Sequence, residues 1–437
     1  MEQQKESILK SIDWWLILIV ILLVITGLLM VFSATIKLPG SNIYLTKQLS
    51  GLFLGILLMI FFMGFNYQLF KQYYYFFYIM SIIFLIAVLI FGKQVHGTRA
   101  WIDFGFFSFQ PSEVTKLLFI ISLAGYLDKE WRDLYKWQKL FIPMMMLLGN
   151  TGLIILEPDF SGLIIYFPVF LAMLYCAKVR ILHLSAILLY GIVTVTIPLT
   201  KTVFISKFPY SPVTEFFKSS WQIWIAVLII GLLILFTWWL INKMLIYVPL
   251  FYFIVVYLII IAGTGSSYVV DKSMKMYQKK RLIAFIDPKI DPLGIGYNII
   301  QSKIAVGSGK IFGKGVFNGT QGQLGFIPAR HTDFIFSLLA EELGFVYSSF
   351  VLILYFLLFW RAVHIAKISR SRYASLVSCG IMAMFAFYTI INIGMVLGMM
   401  PVTGLPLLFM SYGGSALVSS LMAIGILLSI YLRRFVY

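Results

Sequence analysis

The sequence predicts an all-α fold, a polytopic transmembrane helical bundle of about twelve spans. Three observations carry this. Hydrophobic residues make up 61% of the 437 positions and charged residues only 12%. The apolar residues gather in runs close to the ~20 needed for a helix to cross the hydrocarbon core. Most charged residues lie between those runs. The balance excludes an ordinary soluble globule. Cys176 and Cys379, the two cysteines, fall inside apolar runs and read as small buried hydrophobes rather than a disulfide framework. The four histidines, His96, His183, His331 and His364, are scattered without metal-ligand spacing.

In chain order the spans are Trp14–Phe32, Leu49–Phe65, Tyr73–Phe91, Val114–Tyr126, Leu140–Leu156, Leu163–Ala177, Ile181–Leu199, Trp221–Ile241, Leu245–Ala262, Phe334–Trp360, Tyr373–Gly398 and Leu407–Leu432. The fourth and sixth are the shortest. The first is too long for the apolar core of a signal peptide and is followed by further spans, so it reads as an uncleaved helix. With the N-terminus inside, inner loops carry sixteen Lys or Arg against about seven in the short outer loops. The positive-inside rule then places both termini in the cytoplasm. The net charge of +17 sits in loops around apolar spans, which points to membrane surfaces and anionic substrates and not to nucleic acid.

Chemistry-bearing side chains concentrate in the polar run from Arg281 to Phe336, most of it in an outer loop spanning residues 263–332. Ten Lys or Arg lie between Lys272 and Arg330, with Asp287, Asp291, His331 and many glycines. A loop this long without secondary structure of its own is usually functional. From Tyr297, apolar residues alternate with Lys303, Lys310 and Lys314, as in one or two short amphipathic helices at the membrane surface; a solvated basic loop is the alternative. Asp291 lies in DPLGIGY, where Pro292, Gly294 and Gly296 turn the backbone and let a ligand approach. It reads equally as a general base or as an Asx-turn residue.

Charges at membrane depth cost about 2.5–3.5 kcal/mol each and need partners. Glu113 and Lys116, in QPSEVTK, stand at i and i+3 and share a helix face; they form either a functional pair or a buried pair that fixes register. Pro111 ends the preceding segment and Ser112 is a candidate cap. Glu157 and Asp159 straddle Pro158 in an outer turn, which turn chemistry alone explains. Thr332 and Asp333 look like an N-cap, whereas Glu341 and Glu342 sit inside the tenth span.

These segments resemble the SEDS family of bacterial cell-wall membrane enzymes (RodA, FtsW and SpoVE), along nearly the whole chain as a single membrane domain. The resemblance rests on HGTRAWIDFGFFSFQPSEVTK from His96, EPDFSG from Glu157, DPLGIGYNIIQSKIAVGSG from Asp291, GTQGQLGFIPARHTDFIFS from Gly319, EELG from Glu341 and NIGMVLGMMPVTGLPLLFMSYGGS from Asn392. The fourth and the last of these look like the RodA branch. It implies polymerisation of lipid II into glycan strands, in a bacterial inner membrane, during cell elongation. It also implies a class B penicillin-binding protein as cross-linking partner within the elongation machinery. The family's essential aspartate maps to Asp291 as catalytic residue. Its intramembrane pair maps to Glu113 and Lys116, and an upstream arginine to Arg99. Substrate contact is further implied for Gln301, Ser302, Lys303, His331, Thr332 and Ser411. The chain departs from the family where Pro328-Ala329-Arg330 replaces the usual acid before HTDF and where Ser161-Gly162 exchanges the small residues after Pro158-Asp159. It also carries two spans beyond the family's ten, an extra hairpin within residues 181–262.

Lipid II is an axial glycosyl diphosphate and its product is β-1,4 linked, so one inversion by one base suffices. Diphosphate leaves as an anion and needs no general acid; it needs positive charge instead. Asp291 as base, with Arg99, Lys116 and Lys303 around the phosphates, meets the demand. A divalent cation, Mg or Mn, is compatible with the reaction but not required by the residues. The competing functions are a lipid II flippase, which calls for charge at mid-bilayer, and a non-catalytic scaffold for the penicillin-binding partner.

Overall fold

The computed structural model describes residues 12–95, 98–103, 108–157, 159–208, 210–244, 248–288 and 294–434. The helices in order are α1 (Trp14–Thr35), α2 (Ser41–Gly64), α3 (Tyr67–Gln72), α4 (Tyr74–Phe91), α5 (Pro111–Lys129), α6 (Trp137–Leu156), α7 (Phe160–Cys176), α8 (Ile181–Lys207), α9 (Pro212–Lys218), α10 (Ser220–Lys243), α11 (Leu250–Ser273), α12 (Met276–Ile286), α13 (Ile295–Ser308), α14 (Thr320–Gln323), α15 (Ile335–Ile368), α16 (Arg372–Val396) and α17 (Gly414–Leu432). Among the described residues, ten helices are long and apolar enough to cross a membrane. Each of the twelve expected segments overlaps a helix, but the last helix starts at Gly414 and not at Leu407. The two that miss that standard are α5, which carries Glu113, Lys116, Asp128 and Lys129, and the short α7.

The chain divides into two compact units, residues 1–179 with 297–437, and residues 180–296. In the first unit α17 is the central helix, 89% of its apolar window being buried, and α2 packs along it. Gly51 lies on the Gly414 backbone and Gly425 on that of Met59, so a side chain at either position has no room. Small residues permit such close helix approach in lipid, where no hydrophobic drive holds helices together. Every residue of α5 from Pro111 to Leu127 is buried. That burial explains its polar composition: α5 is enclosed by protein and never meets hydrocarbon. By contrast, Ile79, Ile83 and Ile90 of α4 are exposed, as a lipid-facing stripe requires. Asp13 caps α1 by accepting from the Leu16 N–H at 3.1 Å, and its other oxygen pairs with Arg361 at 2.5 Å.

In the second unit α8 packs against α11 and α12. Asp271 there holds two lysines, Lys201 and Lys279, each at 2.7 Å.

Several expectations need correction. The fold is not wholly helical: the segment around Arg99 is a three-stranded antiparallel sheet, β1 (Lys93–Val95), β2 (Thr98–Asp103) and β3 (Ser108–Phe109). The ninth apolar segment begins five residues later than Leu245 and continues to Ser273, so residues 263–273 are helix and not loop. The remaining outer segment is also structured, by α12, α13 and α14. Thr332 and Asp333 do not cap α15: the Thr332 and Phe334 N–H groups both bond to the Ala329 carbonyl, and that turn delays the helix to Ile335. Nor does Ser112 cap α5, whose N-cap is Gln110.

Candidate active site

The short sheet delivers the chain to Gln110, and Pro111 opens α5 at its first turn, where a fixed φ and a missing N–H cost nothing. Glu113 thereby occupies the first turn, where the helix dipole favours an anion. One turn on, Lys116 donates to Glu113 Oε1 at 2.5 Å, the expected i,i+3 pair, with both side chains buried. The structure adds a third member. Tyr388 of α16 accepts from Lys116 at 2.5 Å and donates to the Glu113 oxygens at 2.9 and 3.0 Å. Its ring also lies 5.1 Å from the ammonium. The three form a closed, neutral, fully buried triangle.

Asp159 is more than a turn residue. It caps α7 through the Gly162 N–H at 3.1 Å and also accepts from Ser161 at 2.5 Å, Gln110 at 3.1 Å and Ser112 at 3.3 Å. Ser112, expected as a cap, thus links α5 to α7. One residue before the turn, Glu157 is wholly buried, and neither of its carboxylate oxygens finds a hydrogen-bond donor among the described residues. Burial, then the neighbouring Asp159, pushes its carboxyl up to about 8, against the pull of Lys116. The folded state therefore keeps a proton that the unfolded chain releases above the ordinary carboxylate value, so stability falls as pH rises from about 4.5 to about 8. Glu157→Gln removes this term, worth at most about 1.4 kcal/mol per pH unit. The expected result is a melting temperature that declines less steeply than the wild type's between those two pH values. Equal slopes would sink the assignment.

A second cluster joins the start of α17 to the turn before α15. The Ser411 hydroxyl donates to the Thr332 carbonyl at 2.7 Å and accepts from Leu407 N at 2.8 Å. The Tyr412 N–H meets the His331 carbonyl at 2.8 Å. Gln48 of α2 spans the same turn, donating to Ser411 O at 3.2 Å and accepting from Gly413 N at 3.1 Å. The His331 ring stands 5.3 Å from Tyr44 and 5.7 Å from Tyr412, and its Nδ1 is buried without a partner among the described residues. Burial, then the adjacent Arg330, holds the imidazole below its usual value, so it is neutral near pH 7. The two clusters are wired together: Ser415 accepts from Gln110 N at 2.9 Å and donates to Ser108 O at 2.9 Å.

The segment before α15 is anchored by the two glutamates of EELG. Glu341 is fully buried and accepts from Lys314 at 2.8 Å, Thr320 at 2.9 Å, and the Gln321 and Gly322 N–H groups at 2.9 and 3.1 Å. Glu342 accepts from Ser33 of α1 at 2.7 Å. Just beyond, Gly344 takes a φ of 73° and breaks α15. The break frees backbone groups in a buried stretch, where each needs a partner. Residues 310–315 pair them: Lys314 and Gly315 N–H donate to the carbonyls of Glu341 and Glu342, and Phe345 and Val346 N–H donate to those of Lys310 and Ile311. Gly309, Gly313 and Gly344 are packed so close to facing backbone that no side chain fits.

Of the remaining expected residues, Ser302 is buried, its hydroxyl bonded to Val396 O at 2.9 Å, and so anchors α13 to α16. Lys303, one residue on, is exposed and its side chain passes over Gly398. Gln301 is half-buried. Asp291 and the Arg99 side chain lie outside the described residues. Among the described residues no three His, Cys, Asp or Glu side chains gather to hold a metal ion. Sequence reasoning missed Tyr388, Tyr44, Tyr412 and Gln48. Tyr388 and Tyr412 lie within expected apolar segments and Tyr44 and Gln48 in the short polar stretch before the second, and nothing in either setting marks them.

The sequence model of the FtsW/RodA/SpoVE family, described as cell cycle protein, matches residues 13–232 and 224–434. The chain is similar to the peptidoglycan glycosyltransferase RodA of Treponema pallidum (strain Nichols), with 33% identity over 97% of this chain and 98% of that protein. It is also similar to stage V sporulation protein E of Bacillus subtilis (strain 168), with 31% identity over 96% and 97%. Among solved structures, a chain described under the structural coordination of polymerization and crosslinking by a peptidoglycan synthase complex superposes with a TM-score of 0.65 at 26% identity, over 97% of this chain and 98% of that one. Thermus thermophilus rod shape determining protein RodA gives 0.61 at 23% over the same shares and bears on the fold alone. With its family matched along almost the whole sequence, this chain belongs to the FtsW/RodA/SpoVE family.

Proposed function

We infer that the protein is a peptidoglycan glycosyltransferase that polymerises lipid II into β-1,4-linked strands with release of undecaprenyl diphosphate. The observation that carries this reading, beside the family itself, is where the ionisable groups stand. Glu113 lies in the first turn of α5 and Asp159 in the turn before α7, at one end of the bundle rather than midway along it. A headgroup path across the bilayer would call for charge at the middle.

In this mechanism Asp291 takes the proton from the acceptor hydroxyl as its oxygen attacks the anomeric carbon and the diphosphate departs. Positive charge over the leaving group lowers the barrier. Lys116 is already neutralised by Glu113, so that charge falls first to Lys303, which has no carboxylate partner among the described residues, and to Arg99. Neutral His331, whose Nδ1 has no partner among the described residues, suits a sugar hydroxyl or amide, and Gln301 and Thr332 are assigned to the same substrate surface. Ser302 and Ser411 serve by holding α13 and the His331 turn in place. Twelve spans with both termini cytoplasmic, and an added two-helix hairpin within residues 181–262, complete the topology. A class B penicillin-binding protein cross-links the product.

The test is a proteoliposome assay of the full chain with its penicillin-binding partner, the transpeptidase blocked by a β-lactam, and lipid II labelled on one leaflet. Glycan strands resolved by gel are the expected product. Movement of label across the bilayer without strands would establish a flippase, and neither would leave a scaffold.

A further inference from the structure

At the end of the bundle opposite the candidate site, a cleft of about 470 Å³ opens between the start of α4 and the end of α5. Its floor is made where Tyr74 packs directly on the Gly125 backbone, and its walls are Lys71, Asp128, Lys129 and Trp131. Lys71 is paired with Asp128 at 2.8 Å. Lys129 is exposed and has no carboxylate partner among the described residues. Trp131 is half-exposed, and the guanidinium groups of Arg132 and Arg372 lie 5.2 and 4.7 Å from its ring. Two lysines thus line the cleft against one carboxylate, and two guanidinium groups lie on its Trp131 wall. Directly along α4 from the cleft run the exposed side chains of Tyr75, Phe76, Ile79 and Ile83, one apolar helix face at i, i+3 and i+4 spacing.

A cationic hollow level with the helix ends, an indole beside it and an apolar lane leading into the bilayer match the parts of a phospholipid in order. Lys and Arg between helix ends attract anionic headgroups, and Trp favours the boundary between headgroup and acyl chain. We propose that this cleft is a binding site for an anionic phospholipid. Lys129 and Lys71 contact the phosphate, Trp131 lies at glycerol depth, and an acyl chain follows α4. The site is independent of the glycosyltransferase assignment and its test uses no turnover.

The full chain, purified in detergent, is titrated with phosphatidylglycerol or phosphatidylcholine and examined by native mass spectrometry. One phosphatidylglycerol is expected to bind at least several-fold more tightly than phosphatidylcholine. Lys129→Gln leaves the Lys71–Asp128 pair intact and should cost roughly five-fold in that preference, the increment expected for one lysine. Lys71→Gln/Lys129→Gln should abolish it. Lys136→Gln/Lys139→Gln, on the same end of the bundle but outside the cleft, should change nothing. Equal binding of the two lipids overturns the proposal, as does an equal loss in the Lys136/Lys139 variant, which would mean diffuse charge and no site. Displacement of the lipid by 10 mM inorganic phosphate would also overturn it, since the cleft would then recognise the anion without the chain.

Discussion

Asp291→Asn is expected to abolish glycan synthesis while leaving folding and partner binding intact. The substitution separates the two roles the residue can play. As an Asx-turn residue it needs only a side-chain carbonyl to accept from the backbone, which Asn supplies equally well. As a general base it needs a carboxylate, which Asn lacks, and a positioned base contributes about 10²–10⁴-fold in rate. The measurement is initial rate of strand formation from lipid II at matched protein incorporation, with co-purification of the penicillin-binding partner as the folding control. A drop of at least about 100-fold with the partner retained assigns the base. Activity within a few-fold of wild type would return Asp291 to the turn. The missing acid before HTDF, where Ala329 stands, sharpens the test, because no neighbouring carboxylate at that position can substitute.

Lys116→Met should give the largest loss of stability from a single side chain. The change leaves the buried Glu113 carboxylate with the Tyr388 hydroxyl alone, and removing one partner of a buried pair costs about 3–5 kcal/mol. Replacing both ends, Glu113→Gln with Lys116→Met, removes the uncompensated charge and should restore most of the melting temperature. The pair's function is then exposed. If polymerisation stays low in the double variant at restored stability, the charges act on substrate as well as on folding. If activity returns with stability, the triangle with Tyr388 serves only to fix α5 against α16. The first result is expected, since the triangle stands at the end of the bundle where Asp159 and the Gln110–Ser415 link also converge.

Much of this arrangement was legible in the residues themselves. The Glu113–Lys116 pair followed from helical spacing, and it is there. What surrounds it was not legible: Tyr388 lies 272 residues from Lys116 in sequence, and nothing in an apolar run says which of its residues turns toward a distant helix. The polarity of α5 made it look like a marginal span because hydropathy measures fitness for lipid. This helix is instead solvated by its own protein. The small sheet escaped notice because its strands are two to six residues long and flanked by glycines that signal loop as readily as strand. Glu341 and Glu342 were conspicuous as charges in a span. Their role depends on the break at Gly344, and one glycine in a long apolar helix predicts no break on its own.

That break also sets an order of events in biosynthesis. Residues 310–315 leave the ribosome before residues 341–346, yet each segment holds the backbone partners of the other. Until the later segment is made, the earlier one has nothing to dock on. Until the earlier one docks, the later segment can satisfy its own carbonyls only as an unbroken helix. The break in α15 and the fold of residues 310–315 therefore form together, neither being complete without the other. Two stretches some thirty residues apart in the chain are thus one cooperative unit, and disrupting either is disrupting both.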